Sequence, residues 1–390
     1  MFFFCEGLPR QMVSSMVSLD LTLRQAQGKA LGMAECGFRN AEYWRFFEAC
    51  WEGEPVQQTG LGLDFGILNF QGNGSNLVMI TQAFVLGAGL GTRLRPLTED
   101  LPKPAIPIYQ KPLITFALDH LFEFGIRSFV INTHHLPAKL NQLFPDKTYR
   151  GCPVSLVHEP DLLGTGGGIR NVQGQLEDKP FLVYSGDLLT DFDLAPLVKE
   201  HFRAKNDVTL ALRKTGLAAE VALQDLRVLD IGKRYGHSGE YDFANVSVWN
   251  PSIFGRIPPG NVSFIPVLVA WIGQGGRIGG VVADDGKWFN IGSRTEYLEV
   301  HRLIKDENWK PHYLLNDDWS QSTAASASVS PDAKVLGFSS IGADCRIEEG
   351  AVLENTILWP GAQIASRSSL RGCIVRSDRK VGGEHRDEDL

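Results

Sequence analysis

The residues best suited to chemistry lie in GAGLGTRLRPLTEDLPKP, 87 to 104, directly after the apolar run AFVL. Gly87, Gly89 and Gly91 let backbone N–H groups close around anionic oxygens without side-chain obstruction, and Arg93 and Lys103 add mobile positive charge. The expected ligand is a phosphate group, wrapped by the bend that begins at Gly87. A plain strand-to-helix turn accounts for the glycines but not for the Thr-Arg-Leu-Arg-Pro run or the Pro-Lys-Pro that follows. The spacing is GxGxG rather than GxGxxG, and no acidic residue closes a second strand about 20 residues on, which disfavours a dinucleotide fingerprint. The Gly-Lys-Ser/Thr ending of a P-loop is also missing. A second centre is FLVYSGD, where Asp187 ends an apolar strand behind Gly186. A carboxylate there suits Mg2+, which takes hard oxygen ligands and keeps several waters. Asp191 and Asp193 are read as capping or solvating the next turn.

These residues need elements to hold them. Apolar spacing predicts helices over 112–124, 137–144 and 168–176, and extended runs over 127–132, 154–158 and 181–185. Strand and helix alternate with short connections, which implies an α/β domain: a Rossmann-like, mostly parallel sheet with helices on both faces. In such sheets ligands sit at the carboxyl ends of strands, where the Gly loop and Asp187 both fall. The expected domain covers 79–312. Residues 1–78 lack sustained patterning and end in the turn-rich GLGLDFGILNFQGNGSN, so they are read as an extension, with Met79 a candidate natural start.

The end of the chain changes period. Val329, Val335, Ile341, Ile347, Val352, Ile357 or Leu358, Ile364 and Leu370 recur about every six residues, with glycines and small residues between. That spacing is not helical; it predicts the hexapeptide repeat of a short left-handed parallel β-helix over 329–378, joined by a linker at 313–328 and followed by a polar tail at 379–390.

Bulk properties narrow the partners. A net charge of −7, with 21% charged residues, excludes a broad nucleic-acid-binding face but not a small anion held by a few local cations. Six cysteines, Cys5, Cys36, Cys50, Cys152, Cys345 and Cys373, are too scattered for a zinc site and too few for a disulfide scaffold. No run approaches the roughly 20 apolar residues of a membrane helix. MFFFCEGLPR lacks a signal peptide's basic and long apolar regions. The expectation is a cytoplasmic protein without nucleic-acid or membrane partners.

The Gly loop with its Pro-Lys-Pro resembles the signature of the sugar-phosphate nucleotidyltransferases, the nucleotide-sugar pyrophosphorylases, over residues 81 to about 300. The hexapeptide end fits members that carry a C-terminal β-helix. The resemblance implies transfer of a nucleoside monophosphate from a nucleoside triphosphate, UTP or GTP, to a sugar 1-phosphate, with Mg2+ as cofactor. It implies that the Gly loop and Arg93 hold the triphosphate and that Lys103 lies by the reacting phosphates. EPDLLGTGGGIRNV, 159 to 172, resembles the segment beside the nucleobase, giving Glu159, Gly164 and Thr165 as nucleotide-binding candidates. Its GTGGG is closest to the N-acetylmuramate 1-phosphate uridylyltransferase type. DDGKWFNIGSRTEYL resembles the family's second metal segment, but Asn290 stands where an Asp is usual, so the ion gains an oxygen ligand without charge. Asp284 and Asp285 are possible substitutes. FANVSVWNPSIF resembles the sugar-contacting strand, with Asn245 as hydroxyl partner and Val246 where a glycine is usual; Lys233 stands in for a Glu-Lys-Pro segment that is not visible. His134 and His135 are read as loop residues rather than ligands.

Two rival readings remain. One is a non-catalytic regulatory or ligand-sensing relative, supported by Asn290. The other makes the coil an acyltransferase, disfavoured because its repeats hold no histidine; a structural role or a homo-oligomer contact is expected instead.

Overall fold

The computed structural model describes residues 80–315 and 318–390; the expected extension and its boundary at Met79 lie outside the described residues. The first half comprises β1 (Gln82–Leu86), β2 (Pro107–Ile108), β3 (Lys111–Pro112), α1 (Leu113–Phe124), β4 (Ser128–Thr133), α2 (Pro137–Asn141), β5 (Thr148–Tyr149), β6 (Cys152–His158), α3 (Gly164–Asn171), β7 (Phe181–Ser185) and β8 (Leu188–Thr190). There follow α4 (Ala195–Arg203), β9 (Val208–Arg213), β10 (Val221–Gln224), β11 (Arg227–Ile231), β12 (Asp242–Trp249), α5 (Phe264–Gly273), β13 (Ile278–Val282), β14 (Trp288–Asn290) and α6 (Arg294–Asp306).

Ten strands form one sheet in the order β10-β11-β13-β9-β12-β7-β1-β4-β6-β5. Its heart, β6-β4-β1-β7, is parallel, while β12 runs antiparallel between β7 and β9. Period-two side-chain alternation divides the strands between two cores. In β1, Ala83 and Val85 join Ala117, Leu118 and Leu121 of α1 and Leu197 and Val198 of α4, whereas Phe84 joins Ile169 of α3 and Leu268 and Trp271 of α5. Helices therefore cover both faces, as the alternating pattern implies. α1 ends at Gly125, whose φ of 117° suits a residue without Cβ, and Ile126 N–H returns to Leu121 O at 2.9 Å. The one acidic residue buried in α1, Asp119, is neutralised by Lys111 at 2.7 Å and Arg150 at 2.8 Å.

The second Gly-rich run is helical earlier than its composition predicts: α3 spans Gly164–Asn171, and a single 3-10 turn follows at Gln173–Gln175. Packing overrides propensity there. Gly166 and Gly167 donate to Val262 O at 2.7 and 3.1 Å, and a Cβ on Gly167 would lie 2.2 Å from Gly260 O, so the helix and the 260–264 segment touch backbone to backbone.

The C-terminal repeats form a coil with three parallel faces. Ser328–Val329, Arg346–Ile347, Gln363–Ile364 and Lys380–Val381 stack on one; Lys334–Leu336, Val352–Glu354, Ser369–Arg371 and Glu384–Arg386 on the second; Ser340–Ile341, Ile357–Leu358 and Ile374–Val375 on the third. Ile341, Ile347, Leu353, Leu358, Ile364, Leu370 and Val375 point inward. Val352, expected inward, is half-buried, and its neighbour Leu353 fills the core. Inward positions step by six except from Leu353 to Leu358 and from Leu370 to Val375, where a corner is one residue shorter. The polar tail supplies the last strand, Glu384–Arg386, paired with Ser369–Arg371.

The third face docks on the α/β domain. Ile357, Trp359 and Ile374 share a core with Leu94, Leu97, Ile108, Phe116 and Tyr297, and Trp359 Nε1 donates to the Tyr297 hydroxyl at 3.0 Å. The expected linker takes part: Tyr313 and Trp319 are buried in the same core, and the Tyr313 hydroxyl donates to Thr190 O at 2.8 Å.

Candidate active site

The Gly loop leaves the carboxyl end of β1 and turns at once. Gly87 and Ala88 donate their backbone N–H groups to Asn132 Oδ1, at 2.8 and 3.2 Å, from the end of neighbouring β4. A Cβ on Gly87 would meet Asn132 O at 2.7 Å, so the close approach requires glycine. Gly91 has a left-handed φ of 59° and its carbonyl accepts the Thr98 hydroxyl at 2.9 Å, which folds the loop back on the 97–99 turn. Gly89 has nothing within 4 Å of where a Cβ would stand. Its Cα thus faces open space, with Leu86, Ala88 and Thr92 along the same bend.

Asn132 was not singled out by the sequence, although a polar residue near a strand's carboxyl end is the type of signal that marks such sites. Its Nδ2 donates to Glu159 Oε1 at 2.7 Å, and Glu159 Oε2 accepts Leu163 N–H at 3.2 Å. Glu159, fully buried, thus links the Gly loop to the start of α3. A Cβ on Gly168 would strike this pair, 2.8 Å from Asn132 Nδ2. Gly164 opens α3 at a φ of 67°, and the Thr165 hydroxyl accepts Phe264 N–H at 3.2 Å.

Asp187 follows β7. A Cβ on the preceding Gly186 would lie 2.8 Å from Leu86 O, so the ends of β1 and β7 meet only because no side chain intervenes. The Asp187 carboxylate accepts the Ser185 hydroxyl at 2.6 Å on Oδ1 and pairs with the Lys103 ammonium on Oδ2. β14 lies antiparallel to β8 with Asn290 opposite Leu188, one residue from Asp187, and Ile291 N–H donates to Asp187 O at 3.3 Å. Asp187, Lys103 and Asn290 are brought together from three distant stretches. Arg93 lies across the same gap: a Cβ on Gly292 would stand 2.8 Å from its Nη2. Behind Gly292, Ser293 caps α6 by accepting Glu296 N–H at 3.3 Å, while Glu296 Oε2 accepts Gly292 N–H at 2.9 Å, which fixes the segment carrying Asn290.

Asn245 sits in β12 at a left-handed φ of 63°, where the register against β9 shifts, one residue before the pair Val246–Tyr184. Such irregularities re-aim side chains, and Asn tolerates the conformation. Val246 is buried in regular pairing and needs no glycine. Trp288 Nε1 ties this stretch to β14 through Ala244 O at 3.0 Å. Lys233 is not brought to the group: it lies on the exposed turn after β11, with β13, β9 and β12 between that strand and β7.

The other acids hold loops. Asp284 accepts Lys214 N–H at 3.0 Å, and Asp285 accepts Asp193 N–H at 3.2 Å. Asp193 caps the start of α4 through Ala195 N–H at 2.8 Å. Asp191 reaches across to Lys287 N–H at 2.6 Å and Trp309 Nε1 at 3.1 Å rather than to its own turn. His134 Nδ1 meets Glu159 O at 2.8 Å and His135 Nε2 meets Thr98 O at 2.7 Å, each bracing a loop. Among the described residues, no group of three or more His, Cys, Asp or Glu side chains forms a metal cage, and no helix is long and apolar enough to cross a membrane.

With this geometry in place, comparison with known proteins is direct. The Nucleotidyl transferase family model matches residues 82–220. The mannose-1-phosphate guanylyltransferase of Mycobacterium tuberculosis is 30% identical over 302 residues, covering 75% of this chain and 82% of that protein. The UTP–glucose-1-phosphate uridylyltransferase of Synechocystis is 26% identical, covering 77% and 90%. The N-acetylmuramate alpha-1-phosphate uridylyltransferase of Neisseria meningitidis is 29% identical, covering 57% and 97%. A Gly loop closing on a lysine-paired aspartate, together with similarity that spans most of the guanylyltransferase, establishes that the chain belongs to the sugar-phosphate nucleotidyltransferase family.

Proposed function

We propose that the protein transfers a nucleoside monophosphate from GTP or UTP to a sugar 1-phosphate, forming a nucleotide sugar and releasing pyrophosphate. The observation that carries this reading is the pairing of Lys103 with Asp187 next to the Gly loop, where a Cβ on Gly91 would stand 3.4 Å from Lys103 Cβ, with Arg93 against Gly292. The relatives named above act on mannose 1-phosphate, glucose 1-phosphate and N-acetylmuramate 1-phosphate with guanylyl or uridylyl donors, which supports the same class of substrates here.

The sugar 1-phosphate oxygen attacks the α-phosphorus in line with the departing pyrophosphate, and such transfers need positioning and charge neutralisation more than covalent chemistry. The amides of Gly89 and Gly91, flanked by Leu86, Gly87, Ala88 and Thr92, receive the triphosphate, and Arg93 lies beside them. Lys103 moves its ammonium between the Asp187 carboxylate and the reacting phosphates. Glu159, Gly164 and Thr165 border the nucleobase, and Asn245 faces the sugar. Asp187 and Asn290, which sits opposite the residue after Asp187, offer one carboxylate and one amide oxygen, a donor set of the hard-oxygen type that suits Mg2+. That ion would neutralise phosphate charge. Asn290 would offer it an oxygen but no charge.

Asn290 also favours a second reading, a nucleotide-binding relative without turnover. One experiment separates them: GTP, UTP, dTTP, CTP and ATP are each incubated with several sugar 1-phosphates and Mg2+, and pyrophosphate is measured. Release with one pair establishes the transferase. Nucleotide binding without release in any pair favours the second reading.

A further inference from the structure

We propose that the C-terminal coil clamps the nucleotide loop, with Arg376 as the positioning residue; the proposal rests on the reading of that loop as the triphosphate site. Arg376 leaves the third face of the coil just after Ile374–Val375 and is 12% exposed. Its Nη1 donates to Pro96 O at 3.2 Å and pairs with Glu99 at 3.3 Å and Asp100 at 2.9 Å. Arg379 adds a second contact to Asp100 at 3.2 Å. All three partners belong to the short stretch between the Gly loop and Lys103.

That stretch transmits position in both directions. Thr98, inside it, holds Gly91 O through its hydroxyl and is itself held by His135. Lys103 follows three residues after Asp100. A shift of the Pro96–Asp100 segment therefore moves the loop's phosphate-facing amides and the reacting lysine together. Both carboxylates are exposed and their pairing energy is screened, but the enclosed guanidinium ties them and the Pro96 carbonyl to one point of the coil.

The coil also holds the opposite wall. Asp389, next to the last residue, pairs with Arg294 Nε at 2.7 Å, and Arg294 Nη2 donates to Gly372 O at 2.5 Å. Arg294 begins α6, two residues after Gly292, against which Arg93 lies. Between the two grips, Trp359 bonds the Tyr297 hydroxyl, which donates to Pro107 O at 2.6 Å. The coil thus sets the distance between the Gly loop and the strand that carries Asn290.

The test uses the full chain and the variants Arg376→Ala and Arg376→Lys, read by backbone hydrogen exchange over 87–103 and by KM for each substrate. Arg376→Ala should accelerate exchange in that segment. It should also raise KM for the nucleoside triphosphate about tenfold, equivalent to about 1.4 kcal/mol, with KM for the sugar 1-phosphate unchanged and much of the loss recovered in Arg376→Lys. If Arg376→Ala does not fold, the loop-side pair Glu99→Gln with Asp100→Asn removes the charge from both ion pairs and leaves the Pro96 O bond. Unchanged exchange over 87–103, or an equal rise in both KM values, overturns the clamp. Absence of turnover in the unsubstituted protein counts against the catalytic reading alone, since the exchange result still decides the clamp.

Discussion

Asn132 donates its side-chain amide to the buried carboxylate of Glu159 at 2.7 Å while its oxygen receives the first two N–H groups of the Gly loop. One amide thereby aligns a phosphate-facing bend with the entrance of α3. Replacing it by Leu leaves two backbone donors and one oxygen of a buried Glu159 without this partner, at about 1 to 3 kcal/mol for each buried group left unsatisfied. Asn132→Leu should lower Tm by several degrees and weaken nucleotide binding; thermal denaturation and titration with nucleotide check both.

Lys103 is the only cation paired with Asp187 among the described residues, and it stands where phosphate charge is expected. Lys103→Ala should cut kcat by about a hundredfold or more, the range found when one charge-stabilising donor is removed. The fold should survive, since Lys103 opens a short 3-10 turn and takes no part in the apolar cores. Circular dichroism with a pyrophosphate assay tests the pair of statements.

Asn290 pairs with Leu188, the residue after Asp187, and carries no charge. Asn290→Asp should lower the Mg2+ concentration for half-maximal rate by about tenfold, because a second carboxylate strengthens a hard-cation site. Asp187→Asn should abolish turnover. Metal titrations of the three proteins provide the comparison.

His301 gives a pH prediction. Burial pushes its pKa down to about 4, and its two nitrogens are committed: Nε2 accepts Tyr109 N–H at 3.2 Å and Nδ1 donates to Tyr297 O at 2.8 Å. The unfolded chain takes up this proton near pH 6.5 and the folded chain does not, so stability falls as pH drops from about 6.5 towards 4. His120, lowered to about 3, and His201, lowered to about 4, both by burial, act in the same sense. Denaturant midpoints measured across that window should decline, and less steeply in His301→Gln.

The sequence made some of this legible and concealed the rest for identifiable reasons. The Gly loop and Asp187 were visible because glycine spacing and an acid ending an apolar strand are local patterns. α1 was expected from Pro112 and begins at Leu113, since its apolar periodicity is continuous. The early start of α3 was hidden, because glycines predict a loop until the backbone of 260–264 is laid against them. Asn132 carries no local signal, as its three partners are 45, 44 and 27 residues away. Val352 is the inward expectation where Leu353 fills the core: a count of six from Ile347 reaches Leu353, but two adjacent apolar residues leave the inward position undecided until the strand is paired. The nucleobase is not fixed by the glycine run: GTGGG resembles a uridylyltransferase, while the relative at 30% identity is a guanylyltransferase.

The shortened corners have a consequence for the length of the coil. Equivalent positions such as Leu353 and Leu370, or Leu358 and Val375, lie seventeen residues apart, and each layer advances one strand spacing, about 4.8 Å. Excising a single layer would draw the chain end back by that step and carry Arg376 beyond reach of Asp100, although the stack itself would still close. The number of layers acts as a ruler, measured against the catalytic half rather than chosen by the repeat.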